Sequence, residues 1–574
     1  MKIQKTGILG YLFNLTALFA FLVLFIISLT SRKAMADLFS RASYYLILLM
    51  LVLWVAQAVL FIKTLNISLV AMLKKYWPGF LAALVMTSLV FSSVKVAFKT
   101  LSDETNLLSI SMSMLNDKTC WNVTMGKYYY GNLNPMNHEL EKRPLVFPFM
   151  EHLLHTLTGF RYQNAFILNF IVMFLLLSGV YIIARKFLDV PSSIAAIFLI
   201  LSYPVITVFG TSGGFDLLNS AFFVMIMAAV CYFAKNPLSG AFSFIFASLL
   251  VFANIRYESM AFLFVIPLLL VKKIKWQHLK DSSYLLFAAP LVNLPYIWQR
   301  LLRPDAYQNP SDKEVFSLSN LAGNVVIFFK NIVDFKQFLP YAGFISVISV
   351  LIFIYLIVQI LRKKIALEGY ERYSLVVLIA TVLISSTLYL GHFFGDCTHP
   401  SSARFFITLS IVFAFGPIAL RIFKPNAISG RNLLIFSVVC FSYYHPIAVE
   451  GRFINTLKGN RVTEHCIRFL SGGNDKNILI IAERPGQFTA LGYGAMNFSY
   501  VNKNSGQVLK EVGRHLFSKV FVFQEIEYQT QNPTKETALP PDYRLNPLYE
   551  VQISATEFLR ISEVKIAETT IEQK

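Results

Sequence analysis

FLAALVMTSLVFSSVKVAFKTLSDETNLLSI, Phe80–Ile110, begins as an apolar run and ends on two adjacent acids, Asp103 and Glu104. The apolar part fits a membrane span at about 78–98, near the ~20 residues that a spanning helix needs. A carboxylate pair beside a bilayer is costly unless solvent, a cation or a reaction compensates it. What compensates Asp103 and Glu104 is therefore the question that the rest of the chain has to answer.

Working outward, the 574 residues are 56% hydrophobic and 14% charged, with a mean hydropathy of +0.57. A soluble globular protein carries about 45–50% apolar and about 25% charged residues. Apolar runs recur through the first three quarters, and a backbone in lipid must satisfy its own hydrogen bonds, so those runs read as helices. The chain reads as a polytopic α-helical membrane protein. Its net charge of +19 forms no basic stripe with interleaved aromatics, which argues against nucleic acid. The basic residues instead cluster in short loops such as KKIKWQHLK and LRKK, a mark of membrane topology. The opening MKIQKTGILGYLFNLTALFAFLVLFIISLT has too long an apolar core for a cleaved signal peptide and reads as a retained first span.

Length and flanking charge predict about thirteen spans, at roughly 8–30, 43–62, 78–98, 164–184, 191–210, 217–234, 239–255, 258–271, 282–302, 340–361, 373–394, 404–423 and 432–449. With the N-terminus cytoplasmic, Lys74, Lys75, Arg185, Lys186, Lys235, Lys272, Lys273, Lys275, Lys280, Arg362, Lys363, Lys364, Arg421, Lys424 and Arg431 also fall inside. The first external loop, SRKAMADLFSRAS, runs against this pattern. The other side then receives Asp103, Glu104, Asp216, Arg256, Glu258, His392, Asp396, His399 and Arg404. That sorting predicts one site at the extracytoplasmic membrane face.

Four segments follow: N-terminal spans over 1–98, a first large external loop over 99–162, a transmembrane core over 163–450, and a tail over 451–574. Within the loop, FMEHLLHTLTGF (149–160) has the spacing of an amphipathic helix lying in the interface, with His152 and His155 as interfacial side chains. Residues 320–338 read the same way. The tail alternates strand and helix patterns: NILIIAE and FSYVNK as strands, QVLKEVGRHLF as a helix, KVFVFQEIE as a third strand. A small α/β domain of roughly 100 residues is expected, without a phosphate-binding glycine fingerprint.

An acidic pair just after an early span, then an external loop, then RPLVFPFMEHLL and a further span, resembles the membrane glycosyltransferases of the GT-C fold. The likeness is nearest to those using polyprenyl-phosphate sugars, such as protein O-mannosyltransferases and lipid A aminoarabinose transferases. It covers roughly residues 95–425. The resemblance implies a GT-C-like fold and an inverting sugar transfer. It places a catalytic acid on Asp103, with Glu104 beside it, and a second external carboxylate on Asp216 of GGFDLL. Two departures stand out. The acidic pair follows the third span rather than the first, and GHFFGDCTHPSSARFF matches only at Arg404-Phe405.

The chemistry can be reasoned without the family. Moving a sugar from a lipid phosphate to a hydroxyl or amine needs a carboxylate to take the acceptor's proton, which points to Asp103. It also needs cations on the departing phosphate, and arginine's planar fork suits that role. Arg404, Arg256, Arg143 and Lys127 are the candidates. Competing structural roles stay open: Asp103 and Glu104 as a helix end, Asp216 as an N-cap, Arg256 with Glu258 as a surface ion pair, Arg404 as a snorkelling side chain. His392, Asp396 and His399 have metal-ligand types, so a divalent metal stays open and no other cofactor is called for. Cys120 and Cys397 are candidates for a disulfide across the outer loops, and Asn122 and Asn497 head glycosylation tripeptides.

The expected partners are a polyprenyl-phosphate-linked sugar donor, a glycan, lipid or protein acceptor, and membrane lipid. Two rivals remain. One is a transporter or flippase of a lipid-linked saccharide, which would need mid-membrane charges and discontinuous helices, neither of which the sequence pattern displays. The other is a ligase or polymerase of lipid-linked glycans.

Overall fold

The computed structural model describes residues 32–565, except 66–67, 130–131, 303–313, 315, 334–340, 452–453, 455–456, 472–474 and 535–536, together with a few isolated positions before residue 32. The expected first span at 8–30 thus lies outside the described residues, as does the end of the segment 320–338. The chain forms two compact units. One comprises residues 1–97, 142–150 and 165–454, the other 98–141, 151–164 and 455–574. The boundaries expected at 98, 162 and 450 therefore regroup: most of the first loop and the tail make one unit.

The first unit is helical. Among the described residues, eight helices are long and apolar enough to cross a membrane, and a ninth span results if the bent pair Val190–Leu201 and Pro204–Gly210 is taken as one. This is an integral membrane protein. The expected count of about thirteen is not confirmed among the described residues, where three of those runs fold as shorter pieces. Ser239–Ala253 has 15 residues, and the next run is a 3-10 turn, Tyr257–Ala261, leading into Phe262–Leu270. The run at 282–302 divides into Ser283–Val292 and Leu294–Leu302, with Pro295 supplying no backbone donor just after the break. SRKAMADLFSRAS is also not a loop, since a continuous helix runs Arg32–Thr64 and buries Met35 and Phe39.

Helices in this unit approach closely where side chains vanish. A Cβ on Gly79 would lie 1.9 Å from the ring of Tyr181, so the helix Leu69–Ser93 can meet Gln163–Arg185 there only as glycine. The 75° bend between Leu201 and Pro204 has an identifiable cause, because Pro204 opens the second half as a helix-starting residue. That half-helix ends in TSGGFD, a loop buried throughout. The Asn169 amide donates to the Ser212 and Gly214 carbonyls at 2.7 and 2.8 Å, and Ala97 N–H donates to Thr211 O. These contacts fix where the helix Asp216–Lys235 begins.

The second unit is built on one mixed sheet. Its strands are β1 (Trp121–Tyr129), β2 (Asn132–Leu140), β3 (Ile478–Ile481), β4 (Gly494–Met496), β5 (Lys519–Glu527), β6 (Arg544–Gln552) and β7 (Glu557–Lys565). Their order is β2-β1-β4-β3-β5-β7-β6. β3 runs parallel to β4 and β5, and the hairpin β1–β2 of the first loop joins at a bridge between Gly126 and Ala495. Both edge strands carry a proline, Pro135 in β2 and Pro547 in β6. The tail is α/β as expected, but FSYVNK is a helix (Phe498–Lys503), because Asn497 caps it by accepting from Tyr500 N–H at 2.7 Å. The strand is the preceding GAM. Two helices, Phe498–Lys503 and Ser505–Gly513, bury Phe498, Val501, Val508 and Val512 against Leu479, Ile481 and Val522.

The helix Leu101–Asp117 also belongs to this unit. Ser109 Oγ accepts from Val123 N–H of β1 at 2.9 Å, so the helix that carries the acidic pair is tied to the sheet.

Candidate functional site

In the helical unit, three sequence-predicted residues converge. Asp216 is the first residue of its helix, with Phe215 as the cap residue, so it is not the N-cap that its GGFD setting allowed. Its carboxylate is 2% exposed and accepts a hydrogen bond from Arg256 Nη1 at 2.6 Å, while Arg404 Nη1 stands 3.7 Å from its other oxygen. Both guanidiniums are buried. The start of a helix also favours the negative charge. Neither arginine is the surface ion-pair member or the snorkelling side chain that the sequence left open.

Arg256 sits in the turn between Ser239–Ala253 and Tyr257–Ala261. Tyr296 OH donates to Tyr257 O at 3.1 Å and Ser259 Oγ donates to Asn219 Oδ1 at 2.7 Å, pinning that turn against two other helices. Its Nε and Nη2 edge faces Glu258, at 3.3 and 3.2 Å. The guanidinium lies 4.8 Å from the ring centre of Phe405, which stacks in turn with Tyr389. Burial works against the charged form of Arg256, and the Glu258 and Asp216 carboxylates outweigh it, holding the guanidinium above its ordinary pKa. The result is a buried cluster of two arginines and two carboxylates with aromatic walls.

Four other predicted residues of this unit behave differently. Arg143 is buried, and its carbonyl accepts from Gln299 Nε2. His392, Asp396 and His399 turn inward on their own loop. His392 Nδ1 accepts from Phe394 N–H, Asp396 Oδ1 from Thr398 N–H and Oγ1, and His399 Nδ1 pairs with Ser401 Oγ. Gly395 closes that loop where a Cβ would lie 2.4 Å from Tyr389 O. Among the described residues, no group of three His, Cys, Asp or Glu is set to hold a metal ion, so the open metal position finds no donor set. Cys397 carries a buried thiol that accepts from Asn331 Nδ2, and Cys120, in the other unit, is a buried thiol as well, so the candidate disulfide is not formed.

In the second unit, the acidic pair begins a helix rather than ending one. Glu104 is 1% exposed, and its carboxylate accepts from Lys99 N–H, Thr100 N–H and Thr100 Oγ1 at 2.8–3.1 Å. It caps the helix from its first turn and answers part of the compensation question with backbone donors. Asp103, one residue earlier, is half-buried. Lys127 of β1 forms an ion pair with Glu511 at 2.5 Å. Asn122 is buried, and Asn497 is the helix cap described above, so neither glycosylation tripeptide offers a free side chain.

A buried polar cluster of this unit escaped the sequence reading. His152 and His155, expected at the interface, are 2% and 1% exposed, and Glu151 is 0% exposed. His155 Nε2 pairs with Ser111 Oγ at 3.1 Å, on the helix that carries Asp103, and its Nδ1 pairs with the Asn164 amide at 2.7 Å. Glu151 Oε1 lies 3.7 Å from His155 Nε2, and neither carboxyl oxygen has a hydrogen-bond partner among the described residues. Burial pushes the Glu151 carboxyl up to about 8, which the nearby Ser111 hydroxyl only partly offsets. Burial lowers His155 and His152 to about 4, assisted by their mutual repulsion at His155 and by Lys118 at His152. The i, i+4 spacing of Glu151 and His155 is the signal that could have found them on one helix face.

No protein-family model matches this chain, and no curated protein matches it. Among solved structures, it is similar to the oligosaccharyltransferase of Archaeoglobus fulgidus, at 12% identity over 79% of this chain and 70% of that one, with a TM-score of 0.42. It is similar to ArnT from Cupriavidus metallidurans bound to undecaprenyl phosphate, at 11% identity over 84% of this chain and 97% of that one, TM-score 0.43. It is also similar to the arabinosyltransferase EmbB from Mycobacterium smegmatis, at 10% identity over 64% of this chain and 40% of that one, TM-score 0.33.

Proposed function

We propose that this protein is a glycosyltransferase that moves a sugar from a polyprenyl-phosphate donor to an extracytoplasmic glycan, lipid or protein acceptor. The observation that carries this reading is the buried Asp216–Arg256–Arg404 cluster inside an apolar helical unit. Buried charges are costly, and two guanidiniums held together there suit an anionic head group whose tail stays in hydrocarbon. A small cleft between helices Asp216–Lys235, Gly369–Gly391 and Ile407–Ala414, lined by Phe223, Tyr389, Leu409 and Val412 together with Ser385 and Thr408, lies beside the cluster. Tyr389 belongs to both, its ring 5.8 Å from the Arg256 guanidinium.

In this reading Arg256 and Arg404 receive the donor phosphate, Arg143 is a further cation for it, and Asp216 positions the two arginines. The role of base falls on Asp103 from the sequence resemblance alone. The acceptor oxygen bonds to the anomeric carbon as its proton passes to a carboxylate base, and the C–O bond to phosphate breaks with its electron pair going to phosphate oxygen. The arginines offset that growing charge. Glu104, occupied by backbone donors, is left as the cap that holds the helix, and Lys127, paired with Glu511, has no step. The placing of the reaction outside the cytoplasm rests on the distribution of basic loops.

The test is polyprenyl-phosphate binding and sugar transfer by the purified protein. Arg256→Ala and Arg404→Ala should lose binding, whereas Asp103→Asn should bind and fail to transfer. Full transfer by Asp103→Asn would remove Asp103 from the mechanism.

One observation favours the transporter reading. The span Val190–Gly210 is broken by 75° next to the buried charges, a discontinuity that the sequence pattern did not reveal. Movement of a lipid-linked sugar across vesicles without transfer would establish that reading instead.

A further inference from the structure

Arg256 has no open edge in the cluster. Its Nη1 serves Asp216 at 2.6 Å, and its Nε and Nη2 point at the two oxygens of Glu258 at 3.3 and 3.2 Å. That second contact is side-on and two-pronged, the same arrangement by which a guanidinium takes two oxygens of a phosphate. The four side chains carry two positive and two negative formal charges, so the cluster by itself offers an arriving phosphate no excess of positive charge. Asp216 is held from two sides, by Arg256 and Arg404, and is 2% exposed. Glu258 is 12% exposed and stands in the 3-10 turn Tyr257–Ala261. Of the two carboxylates, Glu258 is the one that can leave.

Resting on the donor-phosphate reading above, we propose that Glu258 is an internal stand-in for the donor phosphate, occupying the Nε–Nη2 edge of Arg256 until the donor displaces it. The pairing lowers donor affinity by the fraction of molecules in which that edge is open. It also keeps Arg256 compensated in the empty protein, where an uncovered buried guanidinium would be costly. Once the sugar has left, the same carboxylate competes with the phosphate product for Arg256 and speeds its release.

The test uses the full chain in lipid nanodiscs, with undecaprenyl phosphate as the probe and Glu258→Gln, Glu258→Ala and Arg256→Ala compared with wild type. Glu258→Gln should bind about tenfold more tightly than wild type, as expected if the open state is about one in ten. Glu258→Ala should tighten binding in the same sense and supplies the answer if the glutamine variant does not fold. In steady state, either variant should lower KM for the donor and lower kcat through slower product release, a split that a merely structural role does not produce. Equal or weaker binding by folded Glu258 variants, with wild-type binding that depends on Arg256, overturns the stand-in role alone. Wild-type protein that binds no polyprenyl phosphate overturns the proposed function and this inference with it.

Discussion

Replacing Glu151 by glutamine should change how the stability of the protein depends on pH, and the direction can be worked out group by group. The folded-state pKa of Glu151 is raised from 4.5 to about 8, so the folded protein keeps a proton that the unfolded chain gives up. That contribution is fully present below about 4.5 and is lost as pH rises towards 8. His155 and His152 are lowered from 6.5 to about 4, so their contribution is absent in acid and is gained as pH rises to 6.5. Between about 4.5 and 6.5 the two histidines outweigh the acid; from 6.5 to 8 only the acid acts. Wild-type stability should therefore peak near pH 6.5 and fall by about 2 kcal/mol by pH 8, at about 1.4 kcal/mol per pKa unit. Glu151→Gln removes the falling limb and leaves the rising one. The assay is the apparent melting temperature of the detergent-solubilised protein across pH 4–9, comparing slopes rather than absolute values, because a buried amide has its own cost. A wild-type curve that is flat from 6.5 to 8, or a Glu151→Gln curve that still falls there, would refute the reasoning.

Four further outcomes follow from the geometry. Asp216→Asn leaves two buried guanidiniums without their shared carboxylate and should cost about 3–5 kcal/mol, read as a lower melting temperature. Glu104→Ala removes the acceptor for Lys99 and Thr100 and should cost about 1–3 kcal/mol, with faster amide exchange over residues 99–105. Asp103→Asn should reduce transfer by about 10²–10⁴, measured as turnover of labelled donor. Asn497→Ala should cost about 1 kcal/mol through loss of the cap on Phe498–Lys503, detectable by the same melt.

What could be read from the sequence was whatever depends on local pattern. Length and hydropathy located most of the spans, because a bilayer sets the minimum length of an apolar helix. The same rule drew full spans where proline and short runs intervene, as at Pro295 and in Ser239–Ala253. Asp216, Arg256 and Arg404 were each singled out, but their convergence depends on the 75° bend before Asp216 and on the 3-10 turns at Tyr257 and Ala403, which no periodicity encodes. The division of labour between Asp103 and Glu104 was likewise hidden. It turns on backbone donors at Lys99 and Thr100 that exist only once the next helix has formed. The β1–β2 hairpin went unread although Gly131-Asn132 between two strand-forming runs is a turn signal. Its contribution to the sheet could not be read locally, since the partner residue Ala495 lies in the tail.

The prolines at the two ends of the seven-stranded sheet have a consequence for assembly. Pro135 and Pro547 each leave a border strand without one backbone donor, so a peptide or a second copy aligned there would meet a gap in its ladder. Fibre-like growth and dimerisation by sheet continuation are thereby disfavoured at both margins at once. Recognition of a macromolecule by this unit is then favoured through side chains on its faces and loops. It can accordingly be changed by single substitutions there, which could not be done if binding were carried by main-chain pairing.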